Sequence, residues 1–177
     1  MLIVLKLTTM SELTHFDADG NARMVDVGDK PVTRRMAKAQ GVVRMRLATA
    51  EMIKDGAIQK GDVLNVARIA AINGSKWTPH LIPMCHTIAV DSVDIEFAWG
   101  QESSTNLAEL AVSCTVYSTG RTGVEMEALS AVTIAVLTVY DMCKSVDREM
   151  EVTSVCLLEK SGGKSGHFVR QDLPTED

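Results

Sequence analysis

The chain has 177 residues, of which 46% are hydrophobic and 4% aromatic, so its length fits one soluble domain with a single core. The net charge of −5 argues against a nucleic-acid-binding protein, because a phosphate backbone normally requires a basic face. An anionic ligand would therefore have to bind in a local basic pocket.

The four cysteines, Cys85, Cys114, Cys143 and Cys156, form no C-x-x-C pair. This spacing indicates neither a structural zinc site nor a thioredoxin-like motif, and it predicts reduced thiols in a cytoplasmic protein. The apolar block 128–140 has thirteen residues, fewer than the ~20 that span a bilayer, so we predict a buried helix and no membrane association.

The chain is predicted to form a single domain over residues 13–168. Residues 1–12 are expected to be a non-native or disordered leader, and residues 169–177 a disordered acidic tail. Residues 24–35, inside the domain, are polar and fit either a lid over a site or a loose leader.

The first half of the predicted domain has the pattern of a strand followed by two helices. Residues 41–48 alternate as a half-buried strand, and residues 48–57 are typical of a short helix. Residues 61–77 repeat apolar side chains at helical spacing, with Asp62 placed to cap that helix.

The second half predicts a hairpin, a core helix and a last strand. Residues 86–99 and 107–119 alternate with period two on either side of a polar loop. Thr122 and Glu125 stand in the T-x-x-E relation of a capping box, which predicts that a helix of roughly two dozen residues begins there. Residues 150–160 alternate again.

The resulting order β, α, α, β, β, α, β predicts an α+β fold. Its specific form is a ferredoxin-like split βαβ sandwich with one extra helix, in which an antiparallel sheet carries its helices on one face.

Carboxylates stand at both ends of the predicted core helix. Glu125 and Glu127 either cap free amides, or one of them, Glu127, faces a cleft. Asp141 and Lys144 form either a surface ion pair or an acid/base pair in which partial desolvation raises the pKa of Asp141. Glu127 and Asp141 are fourteen residues apart, ~21 Å along a helix, so a substrate that uses both requires two subunits.

Other segments carry side chains suited to moving a proton or binding an anion. His80 and His86 are predicted in a loop, and a histidine such as His86 is suited to proton transfer. Cys85 beside it does not indicate a metal site, because no second cysteine pair accompanies it. Lys60 precedes a helix N-terminus, where it either binds a phosphate or is a solvated surface lysine.

The glycine-rich stretch EKSGGKSGHF, residues 159–168, is half of a phosphate-binding loop. The motif G-x-x-x-x-G-K-[ST] would require a glycine where the chain has Leu158, and too few residues follow to form the helix of such a loop. A P-loop ATPase is therefore excluded, while Lys160 and Lys164 stay candidates for binding an anion.

Six stretches together closely resemble the MoaC family, the cyclic pyranopterin monophosphate synthases of molybdenum cofactor biosynthesis: LTHFDADGNARMVDV, KGDVLNVARIAAI, LIPMCHTI, TGRTGVEMEALSAV, VYDMCK and KSGGKSG. The resemblance extends from Leu13 to Gly166. It implies a ferredoxin-like homohexamer, a trimer of dimers, with the active site between subunits. It also implies that (8S)-3′,8-cyclo-7,8-dihydroguanosine 5′-triphosphate is converted to cyclic pyranopterin monophosphate and diphosphate. No cofactor and no metal ligand are expected, and whether Mg²⁺ accompanies the triphosphate stays open.

The resemblance further implies the site residues, carried over by matching motif. Asp141 takes the catalytic acid/base position of the family, with Lys144 beside it. The other catalytic candidates are Lys60, His86, Glu125 and Glu127. The substrate-binding candidates are Met84, Cys85, His86, Met126, Glu127, Lys160, Asp26 and Arg35.

Two alternatives belong to other classes: a non-catalytic oligomeric nucleotide binder and a structural assembly protein. The first would most simply show a replaced Asp141 or Lys60, and both residues are present. The second leaves the polar motif residues unexplained. The sequence therefore favours an enzyme.

Overall fold

The computed structural model describes residues 19–100 and 106–171. The elements follow the predicted order, with one short additional strand at the end. They are β1 (Thr33–Arg46), α1 (Leu47–Lys54), α2 (Val63–Leu81), β2 (Ser92–Trp99), β3 (Leu107–Gly120), α3 (Glu125–Cys143), β4 (Glu151–Ser161) and β5 (Phe168–Val169). The predicted leader, residues 1–12, lies outside the described residues. The predicted tail begins with Val169 in β5, and residues 172–177 of that tail lie outside the described part of the chain.

The strands form one five-stranded sheet in the order β2-β3-β1-β4-β5, and every pair of neighbours is antiparallel. Strand β1 lies in the middle of the sheet. Its neighbours are β3 on one side and β4 on the other, and β2 and β5 are the edge strands. The prediction of an α+β fold with an antiparallel sheet is confirmed.

The core lies between one face of the sheet and helix α3. Side chains of β1 alternate between the two faces, and Ala37, Ala39 and Val43 are fully buried. Gly41 lies where β1 and α3 are in close contact, because a Cβ added there would lie 2.8 Å from Cγ1 of Val136 on α3. Small residues on β1 thus allow α3 to lie directly on the centre of the sheet.

Helix α2 packs against α3, and its boundaries have local causes. Its N-terminus is capped as predicted, since the Asp62 carboxylate accepts a hydrogen bond from the Asn65 amide at 3.0 Å. Pro79 removes an amide donor near the other end, but the Thr78 hydroxyl donates to the Ser75 carbonyl at 3.1 Å in its place. The helix therefore continues to Leu81, and the prediction that His80 lies in a loop is wrong.

Two other sequence predictions fail locally. The predicted lid or leader, residues 24–35, ends inside β1, because Thr33, Arg34 and Arg35 already pair with β3. The predicted capping box is absent: α3 begins at Glu125 with Val124 as N-cap, and no side chain caps it. Helix α3 is long and apolar enough to cross a membrane, but 56% of its most apolar 18-residue stretch is buried inside the domain, as in a core helix.

Candidate active site

The N-terminal end of α3 borders a cavity of about 480 Å³. Three segments form its wall: the stretch before β1, the loop after α2, and the start of α3. The cavity is lined by Val25, Val27, Lys30, Ile82, Met84, Cys85, His86, Thr122, Gly123, Glu125 and Met126. Five of the predicted site residues therefore share one cavity: Met84, Cys85, His86, Glu125 and Met126.

Glu127 is only 1% exposed and contacts Cys85, which lines this cavity. The Cys85 thiol donates to its Oε1 at 3.9 Å, while its Oε2 is buried without a hydrogen-bond partner among the described residues. Burial disfavours the charged form and raises the pKa of Glu127 to about 7, with the nearby Glu125 carboxylate adding to the effect. Glu127 can thus exchange a proton near neutral pH.

Cys85 and His86, which are adjacent in the chain, make different contacts near Glu127. Burial, followed by the charge of Glu127, raises the pKa of the Cys85 thiol, so this cysteine is not an activated thiolate. His86 Nε2 lies 2.8 Å from the Val25 carbonyl, which only accepts, so Nε2 carries the hydrogen. This bond holds the segment around Val25 against the loop after α2.

The predicted site residue Lys160 joins the same end of α3 from strand β4. Its ammonium lies 3.3 Å from Oε1 of Glu125 and donates to the Ser165 hydroxyl. Glu125 is therefore an ion-pair partner, in place of the capping role that its position suggested.

A second cavity, of about 580 Å³, adjoins the first and shares Lys30, Thr122 and Gly123 with it. Its lining contains four cationic residues and no carboxylate: Lys30, Arg35, Arg121 and Lys164. Arg35 is nearly buried, and its guanidinium donates to the carbonyls of Gly120 and Arg121. We refer to this space as the basic cavity.

The glycine-rich loop after β4 closes the basic cavity. Gly163 has φ +72°, and a Cβ there would lie 1.6 Å from Nη1 of Arg35. Only glycine can adopt this backbone conformation so close to the guanidinium. The KSGGKSG stretch thus brings Lys164 and Ser165 to the cavity wall, although it is not a P-loop.

The remaining predicted residues form a cluster at the opposite end of α3. Asp141 Oδ1 lies 2.6 Å from the Lys144 ammonium, and Asp141 Oδ2 lies 2.9 Å from the Lys60 ammonium. Lys60 also donates to the backbone carbonyl of Asp141 at 2.7 Å. The loop between α1 and α2 and the end of α3 are therefore joined at this cluster, which we call the Asp141 cluster.

The electrostatics of the Asp141 cluster contradict one prediction. Asp141 is exposed, and the hydrogen bonds and charges of Lys144 and Lys60 lower its pKa to about 2. Desolvation does act to raise this pKa, but the two cations outweigh it, so the expected net rise in the pKa of Asp141 is wrong. Asp141 is thus ionised at neutral pH.

Asp26 does not line either cavity. Its carboxylate accepts a hydrogen bond from the Gly28 amide at 2.7 Å and shapes the turn that leads to Lys30. Within residues 19–100 and 106–171, no group of three or more His, Cys, Asp or Glu side chains is close enough together to hold a metal ion.

The sequence alone does not reveal the basic cavity as a unit. Lys30, Arg121 and Lys164 come from three segments that only the folded chain brings together. Lys164 in the glycine-rich stretch and Arg35 are each predicted separately, as an anion-binding and a substrate-binding candidate.

Comparison with known proteins identifies the family of this chain. Residues 24–163 match the family model described as MoaC family. The chain belongs to the MoaC family. A relative from Syntrophomonas wolfei subsp. wolfei (strain DSM 2245B / Goettingen), "Cyclic pyranopterin monophosphate synthase", is 54% identical over 157 residues, which cover 89% of this chain and 98% of the relative.

One solved structure, the full extracellular region of zebrafish Gpr126/Adgrg6, matches 75% of this chain and 15% of its own length. At 11% identity and a TM-score of 0.31, that match carries no argument about the fold or the activity of this MoaC family member.

Proposed function

We propose that this chain is a lyase of molybdenum cofactor biosynthesis that forms cyclic pyranopterin monophosphate. The observation that carries the proposal is 54% identity across 98% of a relative with this activity in its name. The substrate is (8S)-3′,8-cyclo-7,8-dihydroguanosine 5′-triphosphate, and the second product is diphosphate. This chemistry requires proton transfers during ring rearrangement and charge stabilisation when diphosphate leaves.

The basic cavity suits the triphosphate of this substrate. Four cationic residues without an opposing carboxylate form its lining, and guanidinium groups bind phosphate oxygens in a fixed geometry. The adjoining cavity, with Met84, Cys85, His86 and Met126 on its wall, suits the ring system. The substrate would extend across both cavities, past Lys30 and Gly123.

Glu127 is the best candidate to exchange protons with the ring system. Its pKa of about 7 allows it to donate and accept near neutral pH. Asp141 is ionised, so in its observed surroundings it acts as a base or orients the ammonium groups of Lys60 and Lys144.

The complete site would combine two subunits. Glu127 and Asp141 are separated by fourteen residues of one helix, ~21 Å, so the two groups of one chain are too far apart for one small substrate. Helices α2 and α3 also expose large apolar side chains that a second copy could cover: Val66, Ile69, Trp77, Leu81 and Leu137. A homohexamer of three dimers, as the family resemblance implies, would provide such a contact.

The finer fold assignment is also a proposal. A ferredoxin-like split βαβ arrangement is supported by β3 lying between β1 and β2 and by β1 lying between β3 and β4. The predicted cytoplasmic location, the absence of a cofactor and the open question of Mg²⁺ stay predictions.

The direct test is turnover of the cyclic dihydroguanosine triphosphate, followed by diphosphate release and by oxidation of the product to a fluorescent pterin. We expect turnover by the wild type and its loss in Asp141→Asn with substrate binding retained. Binding without turnover in the wild type would instead identify the non-catalytic nucleotide binder. An exposed lysine outside both cavities, Lys76→Gln, is the matched control.

A further inference from the structure

A buried carboxylate lies four residues beyond the end of α3. Asp147 is only 1% exposed, yet both of its oxygens are fully partnered. Oδ2 accepts from the Arg46 amide and from the Thr49 hydroxyl, each at 3.0 Å. Oδ1 accepts from the Glu149 amide at 3.2 Å and lies 3.1 Å from Nε of Arg46.

These contacts stabilise the ionised form of a buried group. Burial alone would raise the pKa of Asp147, but the donors from Arg46, Thr49 and Glu149 and the charge of Arg46 outweigh it and lower the pKa. The thiol of Cys143 also faces Asp147, and burial, together with the charge of Asp147, raises the pKa of that thiol to about 11. The titratable groups Glu149 and Glu151 line the same cavity as Asp147. Asp147 is thus a permanent anion at neutral pH.

The contacts tie the end of α3 to the beginning of α1. Arg46 immediately precedes α1, and Thr49 is the third residue of that helix. The Arg46 guanidinium adds a bond to the Val146 carbonyl at 2.7 Å. Lys60 follows the other end of α1 after a tight turn, and its ammonium donates a hydrogen bond to the Asp141 carboxylate. The segment from Arg46 to Lys60 is therefore bonded to the end of α3 at both of its ends.

We propose that Asp147 is a positioning residue: through Arg46 and Thr49 it fixes α1 relative to α3, so that the Lys60 ammonium is held on Asp141. Ala50, Ile53 and Ile58 bury one side of this segment in the core, but apolar contacts do not fix a helix along its own axis as directed hydrogen bonds do. The geometric part of this proposal is independent of the reaction, and only its kinetic consequence rests on the proposed function.

The test substitutes Asp147→Asn, which keeps the shape but presents an amide N–H₂ to donors that need an acceptor. The readout is the pKa of Asp141, measured by NMR of its side-chain carboxyl carbon. Lys60 and Lys144 are the two charged groups that lower this pKa. If the Lys60 ammonium loses its contact with the Asp141 carboxylate, one of the two stabilising cations is lost. We then expect the pKa of Asp141 to rise by about one unit.

Thr49→Val is the second variant, because it removes one donor and leaves the carboxylate in place. It should shift the pKa of Asp141 in the same direction by a smaller amount, and it decides the question if Asp147→Asn does not fold. Glu151→Gln is the matched control, since it breaks an exposed ion pair with Arg44 on the neighbouring strand and leaves Asp147 intact. We expect no change in the pKa of Asp141 in the control.

A purely structural role predicts a different pattern. Asp147→Asn would then lower the midpoint of thermal unfolding while the pKa of Asp141 stayed at the wild-type value, and that result would overturn the proposal. In the proposed reaction, Asp147→Asn should lower kcat on the order of tenfold with little change in KM, because Lys60 is misplaced. A pKa shift without activity in the wild type would contradict the proposed function and leave the positioning role supported.

Discussion

Glu127 and Asp141 lie at opposite ends of helix α3, one buried with a pKa raised to about 7 and the other exposed with a pKa lowered to about 2. Burial without a hydrogen-bond partner for Oε2 causes the first shift, and the Lys144 and Lys60 ammonium groups cause the second. One helix thus has a carboxyl group that titrates near neutral pH at its beginning and an ionised carboxylate at its end. Each chain carries both halves of the proposed site, but in separate places.

Glu127 makes stability depend on pH. The folded chain keeps a proton on Glu127 up to about pH 7, whereas the unfolded chain loses it at its ordinary pKa of 4.5. The stability that the folded chain gains from protonated Glu127 is therefore fully present below pH 4.5 and is lost as the pH rises to 7. The wild type should lose this stability between pH 4.5 and pH 8, whereas Glu127→Gln, which cannot ionise, should not. The free energy of unfolding of the variant should therefore rise relative to that of the wild type by up to ~3 kcal/mol over this range.

Urea unfolding at both pH values measures this shift. Glu51→Gln, an exposed position on α1, is the control and should keep a constant difference from wild type. A constant difference for Glu127→Gln as well would mean that folding does not raise the pKa of Glu127.

The basic cavity predicts affinity for inorganic triphosphate. Arg121→Gln and Lys164→Gln each remove one cation from its lining. We expect each to weaken binding of linear triphosphate on the order of threefold to tenfold, because a partly exposed charge contact contributes about 1 kcal/mol. Isothermal titration calorimetry at fixed ionic strength measures the change. Equal affinity in wild type and both variants would place the phosphates elsewhere, and Lys76→Gln on α2 should bind like wild type.

The contact between β1 and α3 predicts a stability change at Gly41. A Cβ at this position would lie 2.8 Å from the Val136 side chain and 3.4 Å from Val132, so Gly41→Ala forces the helix or the strand to shift. We expect a loss of ~1–3 kcal/mol in the free energy of unfolding. Gly100→Ala is the control, because its Cβ would meet Glu109 at an ordinary 3.4 Å. Equal stability of the two variants would mean that α3 does not lie closely on β1.

The sequence predicted the element order because periodicity is strong in β2, β3 and α3. It missed the first half of β1, where Arg35, Ala37 and Ala39 are buried but are not large apolar residues. It also ended α2 too early, since the hydroxyl that compensates for Pro79 is visible only in the folded helix.

The site was predictable where one helix determines it and unpredictable where distant segments meet. The spacing of Glu127 and Asp141 follows from the helix alone. The low pKa of Asp141 does not, because Lys60 lies 81 residues away along the chain. The basic cavity likewise requires Lys30, Arg121 and Lys164 to converge through the sheet.

The measurement that tests the shared site most directly uses two inactive variants, Glu127→Gln and Asp141→Asn, with different affinity tags. Each homo-oligomer should be inactive. If Glu127 of one chain works with Asp141 of another, random mixing by co-expression leaves about a quarter of the sites with both native residues, and activity returns to about a quarter of wild type.

Tandem purification through both tags isolates the mixed assemblies, and turnover of the cyclic dihydroguanosine triphosphate is then measured. Recovered activity in the mixed assemblies is the result that the shared site predicts. Mixed assemblies as inactive as the two parents would contradict it, because every chain would then need its own Glu127 and its own Asp141.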